Sequence, residues 1–205
     1  MTKPAPIKIK GVHHFAMSVP SLESAIAFYS DAFGFELVDH EHLGQSEEGD
    51  RVTQMQNTDT TLAMLHAGNI FIELFEFRSP QPAENTRRMC DYGVTHFSFE
   101  VDDVHASHEA LKAHGVQWHS DPIDAGDGYL MTYGRDPFGN VIEIQQVPHE
   151  RAYAFTQLRG EGASRVRNNV NDPAIIPRID TQITASRLTL LASRPARIGP
   201  SAVPS

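Results

Sequence analysis

The chain has 205 residues, 40% of them hydrophobic, so it can bury one substantial core. Its net charge of −9 makes its surface acidic, which argues against nucleic acid as a partner. Residues 1–11 lack the apolar run of a signal peptide, and no apolar run is long enough to span a bilayer, so we expect a cytoplasmic protein that binds small molecules and no membrane. Because Cys90 is the only cysteine, a bound metal would need His and carboxylate ligands.

The first half of the chain predicts a β-α-β-β-β unit. A strand in GVHHFAMSV (residues 11–19) precedes a helix with Ser21 as its N-cap and Gly34 at its end, because the apolar residues between them recur at helical spacing. Apolar runs predict three further strands, at residues 35–43, 61–67 and 69–77. The segment GQSEEGD (44–50) is predicted to be a loop, and the polar stretch 79–92 a linker.

The same order of elements begins again at residue 93. His96 follows His14 by 82 residues, and HFSFEVDDVHAS aligns with HFAMSVPSLESA at that offset. A helix ends at Gly115, and DPFGN (136–140) is the turn before the last strand. Strands are expected at residues 116–120, 129–134 and 140–147.

These patterns predict an α+β fold of two tandem βαβββ modules, at residues 8–78 and 93–147, that form a cup-shaped mixed sheet. Residues 148–205 hold eight Arg and four Asp or Glu and lack a sustained apolar period, so they are expected to form an extended or disordered C-terminal arm. The alternative is an arm that wraps over a partner subunit, for which RIDTQITASRLTLL is the candidate element.

Strand parity separates the two neighbouring histidines of the first strand. His13 shares a face with the apolar residues under the helix and is predicted to be a partly buried packing residue, whereas His14 points to the other face. By the same parity His96 points away from the apolar face of the second module, as do Glu73 and Glu143 in the closing strands. Equivalent strands therefore supply two imidazoles and two carboxylates, which are ligands for a divalent ion.

The phenylalanines of the first closing strand and the histidines of the second helix do not indicate one function. Phe71, Phe75 and Phe77 share the face of Glu73 and form either ordinary core or an apolar substrate wall. Three helix histidines are predicted on a polar face without a chemical role, namely His105, His108 and His114.

Four stretches resemble the vicinal oxygen chelate superfamily, which includes glyoxalase I, methylmalonyl-CoA epimerase, extradiol dioxygenases, fosfomycin-resistance enzymes and bleomycin-binding proteins. They are HHFAMSVPSLESAIAFYSDAFGF, GNIFIELFEF, GVTHFSFEVDDV and GRDPFGNVIEIQ, and they lie within residues 11–147. In that family paired βαβββ modules surround a metal. The resemblance implies a homodimer and a divalent ion (Zn, Ni, Co, Mn or Fe) with four ligands, His14, Glu73, His96 and Glu143. The cup closes either within one chain or across two.

The resemblance further implies a glyoxalase-type lyase or isomerase that acts on a small oxygen-rich metabolite by metal-assisted proton transfer through an enediolate. Glu143 or Glu73 can detach and act as base, and Glu48 or Glu47 lies in a segment comparable to one that carries a catalytic Glu in methylmalonyl-CoA epimerases. Phe77 and Ser18 stand where glutathione-dependent glyoxalases have Asn and Arg, which disfavours a glutathione adduct.

Two alternative functions stay open on the same fold. An iron-dependent extradiol-type dioxygenase needs two His and one Glu, which His14, His96 and Glu143 supply. A metal-free protein that sequesters a small molecule, as the bleomycin-binding proteins do, needs none of these ligands.

Overall fold

The computed structural model describes residues 5–159, in which each βαβββ unit forms its own mixed sheet. The first unit consists of β1 (His14–Ser18), α1 (Leu22–Phe33), β2 (Glu36–Leu43), α2 (Glu47–Thr53), β3 (Asp59–Ala67) and β4 (Ile70–Ser79). The second consists of β5 (Phe97–Glu100), α3 (Val104–Ala113), β6 (Gln117–Trp118), β7 (Ile123–Asp124), β8 (Leu130–Arg135) and β9 (Val141–Gln146), and α4 (Phe155–Arg159) follows. The predicted two-module α+β fold is confirmed. The predicted C-terminal arm lies outside the described residues from residue 160 onward.

The two sheets have equivalent strand orders. The first runs β1-β4-β3-β2, and the second runs β5-β9-β8-β6 with β7 also paired to β8. In each sheet the opening strand lies parallel to the closing strand, so β1 neighbours β4 and β5 neighbours β9. The registers also match, because Ala16 pairs with Glu73 and Ser98 pairs with Glu143. The internal repeat in the sequence is therefore a repeat in backbone geometry.

Helix α1 begins and ends where its capping residues predict. The Ser21 Oγ accepts a hydrogen bond from Ser24 N at 3.3 Å, and Gly34 adopts a left-handed φ of 69° that favours glycine. The Gly34 N–H donates to the Ser30 carbonyl at 2.9 Å, which closes the last turn. The buried side chains of α1, among them Ala25 and Tyr29, face the hydrophobic core.

One hydrophobic core contains side chains of both modules. The ring of Phe15 in β1 lies 4.8 Å from that of its repeat equivalent Phe97, and Phe33 lies 4.6 Å from Phe99. The closing strands contribute alternate residues that are fully buried, Ile72 and Leu74 from β4 and Ile142 and Ile144 from β9. The two modules thus bury their apolar faces together. Because side chains alternate along a strand, the opposite faces point away from this core.

A buried hydrogen bond links the two modules. The Tyr29 hydroxyl of α1 donates to the Asp136 carboxylate at 2.6 Å, and Asp136 lies in the turn before β9. This carboxylate also accepts from Phe138 N at 2.9 Å and from the backbone and side chain of Asn140. Burial and the Asp136 charge raise the pKa of Tyr29 far above its usual value. The phenol therefore stays protonated and holds α1 against the second module.

Two sequence predictions, one in each module, differ from the structure. The segment predicted as a loop contains α2, whose N-cap Ser46 accepts a hydrogen bond from Gly49 N at 3.0 Å. The prediction for His108 was wrong, because it is 3% exposed and lies on the same face of α3 as Val104 and Leu111. Its ring stacks on Trp118 at 5.1 Å. His105 and His114 are exposed, as the predicted polar face requires.

Within residues 5–159, the helices fall short of the length and hydropathy that crossing a membrane requires.

We predict that Tyr29→Phe destabilises the fold by about 1–3 kcal/mol, because it removes a hydrogen bond to a buried carboxylate. Urea unfolding followed by circular dichroism measures this change. Tyr153→Phe is the matched control, since Tyr153 is exposed and its loss of a hydroxyl should change the free energy of unfolding by less than about 0.5 kcal/mol. An equal unfolding midpoint for Tyr29→Phe and the wild type would contradict the prediction.

Candidate functional site

The first module places a histidine and a glutamate side by side on the face away from the core. His14 begins β1, and Glu73 lies in the middle of β4 opposite Ala16. Because β1 and β4 are parallel neighbours, the two side chains meet across the strands, with His14 Nε2 3.4 Å from Glu73 Oε2. Both side chains are partly exposed.

The second module repeats this arrangement at equivalent positions. His96 directly precedes β5, Glu143 lies in β9 opposite Ser98, and His96 Nε2 is 3.3 Å from Glu143 Oε2. Glu143 is buried, whereas the His96 side chain is 27% exposed. The four residues that sequence reasoning selected are therefore brought together as two pairs, His14 with Glu73 and His96 with Glu143.

The residue before each histidine contacts the second nitrogen of the imidazole ring. His13 Nδ1 lies 2.9 Å from His14 Nδ1, and Thr95 Oγ1 lies 2.9 Å from His96 Nδ1. The prediction of partial burial for His13 was wrong, since it is exposed, precedes β1 and stacks on Phe71 at 5.2 Å. Partners of this kind hold an imidazole with its Nε2 free to act as a ligand. Sequence reasoning missed these two contacts, which the adjacency of His13 and Thr95 to the candidate ligands could have suggested.

The geometry of each pair fits a divalent metal ion. Two ligand atoms bound to one ion at about 2.0–2.2 Å lie about 3.0–3.5 Å apart, which is the separation found in both pairs. Neutral imidazole nitrogen and carboxylate oxygen are donors that Zn and neighbouring divalent metals accept. In the described part of the chain, however, His, Cys, Asp and Glu form no group of three or more suited to a metal ion. Each pair thus supplies two of the four ligands that the sequence predicts for one metal ion.

A cavity of about 660 Å³ lies beside the first pair, between α2 and the strands of the first sheet. Glu73 lines it from β4, and Glu48 and Val52 line it from α2. Glu48 and Val52 are four residues apart and therefore share one face of the helix. Of the two acidic residues that the sequence left as candidates, Glu48 lines the cavity, and Glu47 is exposed outside this lining.

Helix α2 is fixed to the sheet by one carboxylate. Asp50 accepts hydrogen bonds from Asn57 N at 2.8 Å and from Thr58 N at 2.7 Å, immediately before β3. These backbone hydrogen bonds hold the pKa of Asp50 below its usual value. The helix, and Glu48 with it, therefore has a defined position over the cavity.

Comparison with known proteins identifies the family. The profile of the Glyoxalase/Bleomycin resistance protein/Dioxygenase superfamily matches residues 11–144. The chain belongs to this superfamily. It is 34% identical over 147 residues to a 2-epi-5-epi-valiolone epimerase from Actinomyces sp, a match that covers 67% of this chain and 79% of that protein. It is 28% identical to an ethylmalonyl-CoA/methylmalonyl-CoA epimerase from Cereibacter sphaeroides, over 66% of this chain and 97% of the relative.

The fold is shared with a solved member of the superfamily. The glyoxalase family protein from Bacillus cereus superimposes with a TM-score of 0.63 at 24% identity, over 70% of this chain and 98% of that structure. The similarity to this structure shows a shared fold.

Two tyrosines surround the second pair of this glyoxalase-superfamily chain. Tyr133 of β8 pairs with Glu143 across the strands, and its ring lies 5.0 Å from that of His96. Burial, the Glu143 charge and a hydrogen bond to Glu143 raise the pKa of Tyr133. Burial, followed by the charge of Glu143, raises the pKa of Tyr129 to about 12. Both phenols therefore stay neutral beside the buried carboxylate.

We predict that Glu143→Gln lowers the pKa of both phenols, because it removes the negative charge that disfavours their ionisation. Absorbance at the phenolate wavelength during alkaline titration measures this shift. The wild-type protein should also lose stability as pH rises from 10.0 to about 12, since over that range the unfolded chain releases the Tyr129 proton first. Glu41→Gln, on the exposed strand β2, is the control; an unchanged titration in Glu143→Gln would refute the prediction.

Proposed function

We propose that this chain is a metal-dependent epimerase whose active site forms between the first module of one copy and the second module of another. The observation that carries the proposal is the equivalence of the two His–Glu pairs, which have the same donors and nearly the same spacing, 3.4 and 3.3 Å. A site with His14 and Glu73 from one copy and His96 and Glu143 from the other has four ligands. The similarity to two epimerases supports the isomerase class.

The packing of the modules supports a site shared by two chains. Within one chain the apolar faces of both sheets are used in the common core, and the His–Glu pairs lie on the opposite faces. The described residues of one chain supply two ligands at each pair, whereas catalytic metal sites have at least three protein ligands in general. A homodimer provides the missing pair. The ion would be Zn, Ni, Co, Mn or Fe, for which this donor set is suitable.

The proposed reaction moves a proton at a carbon next to a carbonyl group. A bound divalent ion supplies Lewis-acid stabilisation of the negative charge that develops on substrate oxygens. We assign Glu48, which lines the cavity from α2, as the group that accepts the carbon-bound proton. Return of a proton to the opposite face of the carbon inverts its configuration, and we assign this step to Glu143, or Glu73, detached from the ion and protonated. Exchange with water then removes the proton from Glu48 and restores the one that the donor gave. Tyr133 pairs with Glu143 across the strands and stays neutral beside it.

Complementation between variants tests the shared site. The double variants His14→Ala/Glu73→Gln and His96→Ala/Glu143→Gln should each bind no metal alone, because each removes half of the ligands. After co-expression with different tags, purified mixed dimers should recover one ion per dimer, because one of their two sites has all four native side chains. Elemental mass spectrometry on tag-purified protein measures the metal.

Other outcomes would change the assignment. Mixed dimers without metal would refute a site shared by two chains. Wild-type protein without metal after reloading would favour the sequestering protein. Iron that survives Glu73→Gln, with oxygen consumption during turnover, would favour the dioxygenase.

Deuterium exchange tests the proton carrier. The wild-type dimer in D₂O should incorporate deuterium next to the carbonyl of at least one of three compounds: methylmalonyl-CoA, 2-epi-5-epi-valiolone and 2-hydroxyacetophenone. Glu48→Gln should slow this exchange about 10²–10⁴-fold, with metal content unchanged, because it removes the general base. Glu47→Gln is the matched control and should keep the wild-type rate. Equal loss in both variants would refute the role of Glu48, and no exchange with any compound would contradict an epimerase.

A further inference from the structure

The cavity under α2 is lined largely by apolar side chains. They come from four elements and converge on one space of about 660 Å³, namely Leu43 of β2, Val52 of α2, Leu62 of β3, and Phe75 and Phe77 of β4. Glu48 and Glu73 lie in the same lining. A volume of this size accommodates a small organic molecule.

These apolar side chains are not part of the hydrophobic core. Val52 is 80% exposed and Leu43 is 40% exposed, whereas Leu65 and Leu74 on the other face of the same sheet are fully buried. Leaving a cluster of apolar side chains open to water forgoes the free energy of burial, and such clusters mark binding sites. The strands therefore carry a structural apolar face and a second apolar surface that a ligand can cover.

The polar groups in the lining are largely bonded within the protein. The Thr53 hydroxyl donates to the Gly49 carbonyl at 2.8 Å, and the Thr60 hydroxyl donates to the Glu76 carbonyl at 3.0 Å. His42 Nε2 lies 2.7 Å from Asp59 Oδ1. A polyol in this cavity would lose hydrogen bonds to water with few replacements, which costs free energy. An apolar group has no such cost.

The ring arrangement favours a planar apolar group. The rings of Phe75 and Phe77, which both line the cavity, lie 5.7 Å apart at an interplanar angle of 28° and are stacked on each other. An aromatic ring that enters the cavity can extend this stack or meet it edge to face, with additional ring–ring stabilisation.

We propose that this cavity binds an aromatic substituent of the substrate and so determines specificity for aryl-substituted carbonyl compounds over polyols. This proposal rests on the proposed function, which puts the reacting carbon of the substrate beside Glu48 and Glu73. The aromatic group extends from that carbon under α2, against Phe75 and Phe77.

Ligand-observed NMR titration of the metal-loaded wild-type protein tests the proposal with 2-hydroxyacetophenone, hydroxyacetone and dihydroxyacetone. The three probes share the vicinal oxygens, and one has a phenyl ring. The phenyl compound should bind at least about tenfold more tightly, because its ring leaves water. Val52→Asp should weaken its binding about tenfold and lower the ratio of its affinity to that of hydroxyacetone. Val52→Ala, which favours the helix, should weaken it about threefold.

Val38→Asp is the matched control, because Val38 is an exposed valine on β2 outside the cavity lining. It should bind all three probes like the wild type. Equal affinity for the three probes, no binding of the phenyl compound, or unchanged binding in both Val52 variants would overturn the proposal.

The two proposals fail separately in this experiment. Tight, Val52-dependent binding of 2-hydroxyacetophenone without deuterium exchange of any compound supports the aromatic site and contradicts the epimerase. Deuterium exchange of all three probes with equal efficiency supports proton transfer and overturns the aromatic specificity.

Discussion

The burial of both apolar sheet faces in one core determines where this protein can carry chemistry. Phe15 and Phe97, equivalent residues of the repeat, are partly buried and pack together against that core. The Tyr29–Asp136 hydrogen bond holds α1 of one module to the last turn of the other. Once these faces are used, the alternation of side chains leaves His14, Glu73, His96 and Glu143 on the outward faces. The same packing that stabilises one chain therefore leaves two separate His–Glu pairs, which is why the proposed site takes one pair from each of two copies.

Much of this arrangement could be predicted from the sequence, because it depends on local and periodic signals. The period of two along the strands separated Glu73 from its buried neighbours, and the 82-residue offset identified the equivalent side chains. The caps Ser21 and Gly34 defined α1, since a side-chain acceptor and a left-handed glycine act within one turn of the helix.

The rest depends on contacts between distant residues or on weak local signals. Helix α2 has seven residues and no buried side chain, so the segment lacks the apolar period on which a helix prediction relies. His108 was assigned to the polar face by its residue type, although its spacing from Val104 and Leu111 places it on the buried face of α3. The packing of one module on the other, which decides whether the ligand pairs meet within a chain, leaves no periodic trace in the sequence.

The two modules are symmetric in their candidate ligands and asymmetric in what surrounds them. In the first, α2 and the phenylalanines of β4 line a cavity beside Glu73. In the second, Tyr133 pairs with the buried Glu143, and the charge of Glu143 also reaches Tyr129. Inversion of a carbon by two groups requires a proton acceptor on one face and a proton donor on the other. A shared site made of one module of each kind meets this requirement. In the proposed shared site, the repeat supplies matched ligands, and the divergence of the modules gives the two faces of the substrate different surroundings.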